Sequence, residues 1–133
     1  MYLIDTNVWL ERLLHQERSD EVGQFLSHTP SERLFTTDFA LHSIGIVMHR
    51  LKRLDALLSF IQDVFVDGAV ALIHLGPEDM YRLVHIMDQY HLDFDDAYQY
   101  VAAEKYDLTI VSLDSDFDRT EKGRRRPEEI LSM

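Results

Sequence analysis

Short apolar runs alternate along this chain with longer stretches in which apolar residues recur every third or fourth position. The runs at Tyr2–Ile4, Leu34–Thr36, Ala69–Leu75 and Leu108–Leu113 are too short for ordinary helices and predict buried strands. The last is β-branched near its middle and apolar on both faces, as a strand inside a parallel sheet should be. After the first run, Thr6 and Asn7 supply N-cap chemistry for a helix carrying Val8, Trp9, Leu10, Leu13 and Leu14. A second helix starts after Ser19 with Val22, Phe25 and Leu26 inward, and His28-Thr29-Pro30 ends it. A third opens at Thr37 or Asp38 and carries Leu41, Ile44, Val47, Met48 and Leu51. Beyond a bend, Leu54, Leu57, Leu58, Ile61, Val64 and Phe65 continue the stripe to a turn at Asp67-Gly68. Gly76-Pro77 opens the next helix, with proline at its first position and Met80, Leu83, Val84 and Met87 inward. Phe94–Tyr106 is a further helix, Asp107 turns the chain into the last strand, and Pro127–Leu131 forms a short closing helix.

The resulting order, β-α-α-β-α-α-β-α-α-β, predicts the α/β class with a parallel sheet covered on both faces. With 133 residues and no linker, repeat or low-complexity segment, the chain is expected to be a single domain over residues 1–133. Its 46% hydrophobic and 28% charged content is that of a folded protein. It has no cysteine, which excludes disulfides and thiolate metal sites. No signal-peptide pattern opens the chain, and no apolar run approaches the ~18 residues of a membrane span, so a cytoplasmic protein without membrane contact is expected. The net charge of −11 argues against a general nucleic-acid-binding protein, whose field is normally positive. It leaves room for an enzyme acting on nucleic acid, because metal ions can neutralise an acidic site while local basic patches hold phosphates.

The carboxylates sharpen this picture. Asp5 follows the first strand, and Asp114, Asp116 and Asp118 follow the last. Asp95 and Asp96 open the helix that leads into the last strand and runs antiparallel to it. Three remote segments therefore bring acids to the carboxyl edge of the sheet, where open α/β sheets bind ligands. Two carboxylates ~5 Å apart repel by ~3 kcal/mol at an effective dielectric of ~20, so such a group calls for a cation. Oxygen ligands without thiolate favour Mg²⁺ or Mn²⁺, whose bound water can attack a phosphodiester. Taken singly, the same residues have plainer readings. Asp5 can cap a helix, Asp95 and Asp96 suit any helix N-terminus, and Asp116 and Asp118 can sit in a solvated turn.

Two blocks carry a family resemblance. The opening MYLIDTNVWLE, and Asp96-Ala97 through Ala102-Ala103 followed by Leu108-Thr109-Ile110-Val111-Ser112-Leu113-Asp114-Ser115-Asp116-Phe117, are similar to the PIN domain (PilT N-terminal), and more narrowly to VapC-type toxin ribonucleases. The resemblance implies a three-layer α/β/α sandwich with a central parallel, Rossmann-like sheet. It implies metal ligation by Asp5, Asp96 and Asp114, catalytic support from Asp116, and supporting roles for Asn7, Ser112 and Asp95. The implied activity is metal-dependent endonucleolytic cleavage of RNA by a homodimer, paired with a small antitoxin protein. One position departs from the pattern: Ser43 stands where the family supplies a glutamate. Asp38, one to two turns earlier, is expected to cap that helix, and His42 points about 100° around it. The alternative is therefore a weakened or inactive PIN-like domain that binds RNA or protein.

Other features have structural readings. The histidines at 15, 28, 42, 49, 74, 85 and 91 lack zinc-site spacing. Tyr98, Tyr100 and Tyr106 can stack on bases or pack in the core, and Trp9 reads as a core or interface anchor. Lys122, Arg124, Arg125 and Arg126 can hold RNA phosphates or form a solvated tail. The aliphatic stripe between Leu41 and Phe65 suits core packing, with part of it free for a second copy or an antitoxin helix. A phosphatase of the haloacid-dehalogenase type also places an aspartate after its first strand, but Asn7 replaces that motif's second aspartate.

Overall fold

A computed structural model describes every residue from Met1 to Met133. The strands are β1 (Tyr2–Ile4), β2 (Leu34–Thr37), β3 (Ala71–Ile73) and β4 (Thr109–Val111), all parallel and in the spatial order β3-β2-β1-β4. The helices are α1 (Thr6–Leu13), α2 (Ser19–His28), α3 (Asp38–Arg50), α4 (Leu54–Ile61), α5 (Met80–Tyr90), α6 (Phe94–Lys105) and α7 (Pro127–Leu131). The chain steps outward from β1 to β2 to β3, then returns through α5 and α6 to the other side of β1. The order thus reverses between β1 and β4, the switch point at which such sheets form a crevice.

Strand alternation builds the two halves of the core. Leu3 and Ile110 face one way, with Leu83, Ile86, Tyr100 and Val101 of α5 and α6. Ile4 and Val111 face the other, with Val8, Trp9, Phe25, Ile44 and Met48 of the first three helices. Each fully buried side chain of this size contributes ~1.5–3 kcal/mol by leaving water. The architecture is the expected three-layer α/β/α sandwich with a parallel sheet. Trp9 is a core anchor: its ring meets Phe60 edge-on at 5.3 Å, and its indole N–H donates to Thr36 Oγ1 at 3.1 Å.

Several local expectations are corrected. The third and last strands are shorter than their apolar runs, Ala71–Ile73 and Thr109–Val111, because ladder pairing stops where the neighbouring strand stops. Leu108 still belongs to the preceding turn, its N–H donating to Ala103 O. As an edge strand, β3 leaves Ala71 and Leu72 exposed. Val84 points outward at 61% exposure, and Leu51, Leu54 and Leu58, at and after the corner between α3 and α4, are exposed too. Asp5, not Thr6 or Asn7, caps α1, and Thr37, not Asp38, caps α3 through a bond from Ala40 N–H. The basic run is no free tail. Arg125 N–H donates to Ile110 O and Arg125 O accepts from Ser112 N–H, adding one residue of parallel pairing beside β4. Asp118 sits in an exposed turn, as expected, where Arg124 pairs with it at 3.1 Å.

Candidate metal centre

The register of β1 and β4 creates the site. Ile4 lies opposite Val111, so Asp5 and Ser112 come level where both strands end. The Ser112 hydroxyl, wholly buried, donates to Asp5 Oδ2 at 2.7 Å and accepts from the backbone N–H of Asp114 at 2.9 Å. Asn7 locks the two strands' exits together. Its Oδ1 accepts from Leu113 N–H at 3.1 Å, and its Nδ2 donates to Ser112 Oγ at 3.2 Å and Asp5 Oδ2 at 3.4 Å. The other Asp5 oxygen accepts from Thr6 N–H at 2.9 Å.

Asp96 enters from the first turn of α6. Asp93 caps that helix by accepting from Asp96 N–H at 3.0 Å, which points the turn at the sheet edge. Beyond β4, Asp114 Oδ1 accepts from Asp116 N–H at 2.8 Å and starts a 3₁₀ turn over Ser115–Arg119. The turn folds back so that carboxylate oxygens of Asp96, Asp114 and Asp116 lie within 4.8 Å of one another. Arg119 clamps it, donating to Tyr90 O and His91 O at the end of α5 and pairing with Asp116 at 3.1 Å. A cavity of about 200 Å³ opens over the edge, bordered by Asp5, Asn7, Asp95, Asp96, Asp114 and Ser43, with Leu10 and Phe39 as apolar walls.

Charge crowding is visible in the acid strengths. Burial, and then the charges of Asp114, Asp93 and Asp5, push the Asp96 carboxyl up to about 8. Burial also raises Asp5, against the lowering effect of hydrogen bonds from Gln99, Ser112 and Thr6 N–H. A cation among these oxygens would relieve the repulsion, and a donor set of carboxylates alone suits a hard divalent ion. The residues present therefore fit Mg²⁺ or Mn²⁺.

The match with known families decides what kind of crevice this is. Residues 2–123 match the family profile of the PIN domain. The chain belongs to the PIN domain family. No curated protein matches it in sequence. Solved structures share the PIN fold at low identity. A Mycobacterium tuberculosis VapC20, described as a sarcin-ricin loop cleaving toxin, superposes with a TM-score of 0.80 at 16% identity, covering 96% of this chain and 100% of that one. A toxin–antitoxin complex from Klebsiella pneumoniae gives 0.76 at 18%, covering 96% and 98%. FitAcB from Neisseria gonorrhoeae gives 0.74 at 17%, covering 96% and 99%.

Within this PIN domain, the expected ligands Asp5, Asp96 and Asp114 all border one cavity, and Asp116 joins the tightest carboxylate group. Asp95 is exposed at the cavity mouth, and Ser43 offers only a hydroxyl where the family resemblance leads one to expect a glutamate. Asp38 does not line the cavity; its Oδ1 accepts from Phe39 N–H and the Tyr98 hydroxyl, both at 2.8 Å. Tyr98 and Tyr100 are buried and pack in the core, whereas Tyr106 is exposed and its hydroxyl donates to His74 O. All seven histidines are exposed. Sequence reasoning missed two residues. Gln99 is buried beside Asp5, and its signal was a lone amide one turn after Asp96 in an otherwise small and apolar helix face. Arg119 clamps Asp116, and a cation three positions after an acid was the only hint.

Proposed function

We propose that this PIN domain is a divalent-metal-dependent endoribonuclease, the toxin of a toxin–antitoxin pair, working as a cytoplasmic homodimer. The observation that carries this reading is the convergence of Asp96, Asp114 and Asp116 beside Asp5 at the switch point. Asp5, Asp96 and Asp114 would hold Mg²⁺ or Mn²⁺, with Asp116 as the adjoining carboxylate. The ion would supply an acidified water and charge stabilisation for a departing phosphodiester oxygen. The chain's own residues prepare this: Ser112 and Asn7 orient Asp5 and tie it to the Asp114 backbone, and Arg119 restrains Asp116. Similarity to toxin–antitoxin complexes supports an antitoxin as the protein partner.

RNA cleavage by the purified protein with Mn²⁺, beside Asp5→Asn and Asp96→Asn, tests the reading. Cleavage by wild type, reduced at least 100-fold in both variants, is the expected outcome. Equal inertness of all three across structured and unstructured RNAs overturns it. That result would favour the second reading, a PIN-like binding module, which Ser43 supports by adding no carboxylate to the cavity.

A further inference from the structure

Gln99 is the buried polar side chain at the site that neither the ligand set nor the strand ends explain. It is 3% exposed on α6, and its Nε2 donates to Asp5 Oδ1 at 3.0 Å. On its other side, Oε1 accepts from the Thr37 hydroxyl at 2.7 Å. Thr37 in turn accepts from Ala40 N–H at 2.9 Å as the cap of α3. The Ala40 N–H occupies one of the two lone pairs of the Thr37 oxygen, the Thr37 hydroxyl donates to Gln99 Oε1, and the amide hydrogens on the other side of Gln99 face Asp5.

On the far side of Asp5, Leu113 N–H holds the Asn7 amide so that its NH₂ faces inward, and Ser112 Oγ, accepting from both Asp114 N–H and Asn7 Nδ2, gives its proton to Asp5. Asp5 thus meets donors from Thr6, Asn7, Gln99 and Ser112 and no acceptor among its bonded partners. Three of these lie within the two strand exits. Gln99 alone comes from another layer, and Thr37 continues the link to α3.

We propose that Gln99 is a positioning residue for Asp5, with Thr37 as the residue that sets its amide orientation. Through this relay α3, which brings Ser43 to the cavity in place of a carboxylate, still acts on the site by fixing the first acidic group. The inference rests on the nuclease reading only for its consequence in catalysis, because the relay itself is a property of the metal-free protein. Partners that orient a ligand in this way typically change metal affinity by ~10–100-fold when removed.

The test uses Gln99→Leu, Thr37→Val and Thr37→Ser in the full chain. Mn²⁺ affinity is measured by calorimetry, RNA cleavage is assayed in parallel, and the side-chain amide of Gln99 and carboxyl carbon of Asp5 are followed by NMR. Gln99→Leu is expected to weaken Mn²⁺ binding about tenfold or more. Thr37→Val should weaken it in the same direction and Thr37→Ser should restore it to within about twofold. The Thr37→Val/Gln99→Leu double variant should be no weaker than Gln99→Leu alone, because both break one chain of bonds. Unchanged affinity in folded Gln99→Leu, or additive losses in the double variant, overturns the proposal. Should Gln99→Leu not fold, the near-isosteric Thr37→Val against Thr37→Ser decides it. If wild type neither binds Mn²⁺ nor cleaves RNA, the nuclease reading falls. The NMR signals then decide the relay alone: an exchange-protected Gln99 amide and an Asp5 carboxyl shift that both change in Thr37→Val and not in Thr37→Ser support it, and their indifference refutes it.

Discussion

At the scale of single residues, Ser112 links Asp5 to Asp114. Its hydroxyl has no contact with water and serves the Asp5 carboxylate, the Asp114 N–H and the Asn7 amide together. Ser112→Ala removes all three bonds without adding volume, strips the Asp114 N–H of its acceptor and leaves Asp5 Oδ2 with only the long bond from Asn7. Such loss costs ~1–3 kcal/mol, so urea denaturation of Ser112→Ala should show a lower midpoint with an unchanged slope. The sequence showed Ser112 because it directly precedes the closing acids. It hid Gln99, because a glutamine in a helix usually faces water, and the partners that make this one structural stand 62 and 94 positions away. Ser43 was legible as a departure from a family pattern. That it borders the cavity was not, since the rotation of α3 depends on packing by Ile44 and Met48.

At the scale of elements, four helices end without glycine at the position that turns left-handed. His15, Lys52, His91 and Asp107 follow α1, α3, α5 and α6 with φ between 50° and 57°. A side chain in this conformation costs roughly 1–2 kcal/mol, of which glycine's extra freedom in the unfolded chain returns about half. Lys52 is exposed and makes no ion pair, so nothing offsets its strain. Lys52→Gly should therefore raise the thermal midpoint by a few degrees, as scanning calorimetry would show; a drop would mean the Lys52 side chain stabilises the α3–α4 corner. The existence and order of the elements could be read from apolar spacing because burial imposes that spacing. Their ends could not, because β3 and β4 stop where their neighbours stop pairing, and β4 gains a partner from Arg125 that no local pattern announces.

For the whole molecule, protons link stability to the proposed metal binding. Asp96 holds its proton up to about 8 when folded, against an ordinary value of 3.8. An acid raised by folding contributes most at low pH, and that contribution is lost as pH rises from 3.8 to about 8. Carboxyls lowered by ion pairs, such as Glu104 beside Arg82, act oppositely and lose their smaller contribution only in stronger acid. In chelator, stability should therefore fall between pH 5 and pH 8. On the proposed function, saturating Mn²⁺ should remove most of that fall, because an ion held by the deprotonated site would stabilise the folded state by mass action. Denaturation curves at both pH values, with and without Mn²⁺, measure this; a metal-free stability that rises over the interval would show Asp96 ionised throughout. The sequence by itself determined the class of fold, the order of strands and helices, and the carboxyl edge on which the acids gather, because short apolar runs and helical periodicity are local consequences of burial. Only the tertiary structure decided which acids meet and what orients them. The convergence of Asp96, Asp114 and Asp116, the hydrogen-bonded hold on Asp5, and the relay from Thr37 through Gln99 depend on register and helix rotation. Those are set by packing among residues far apart in the chain.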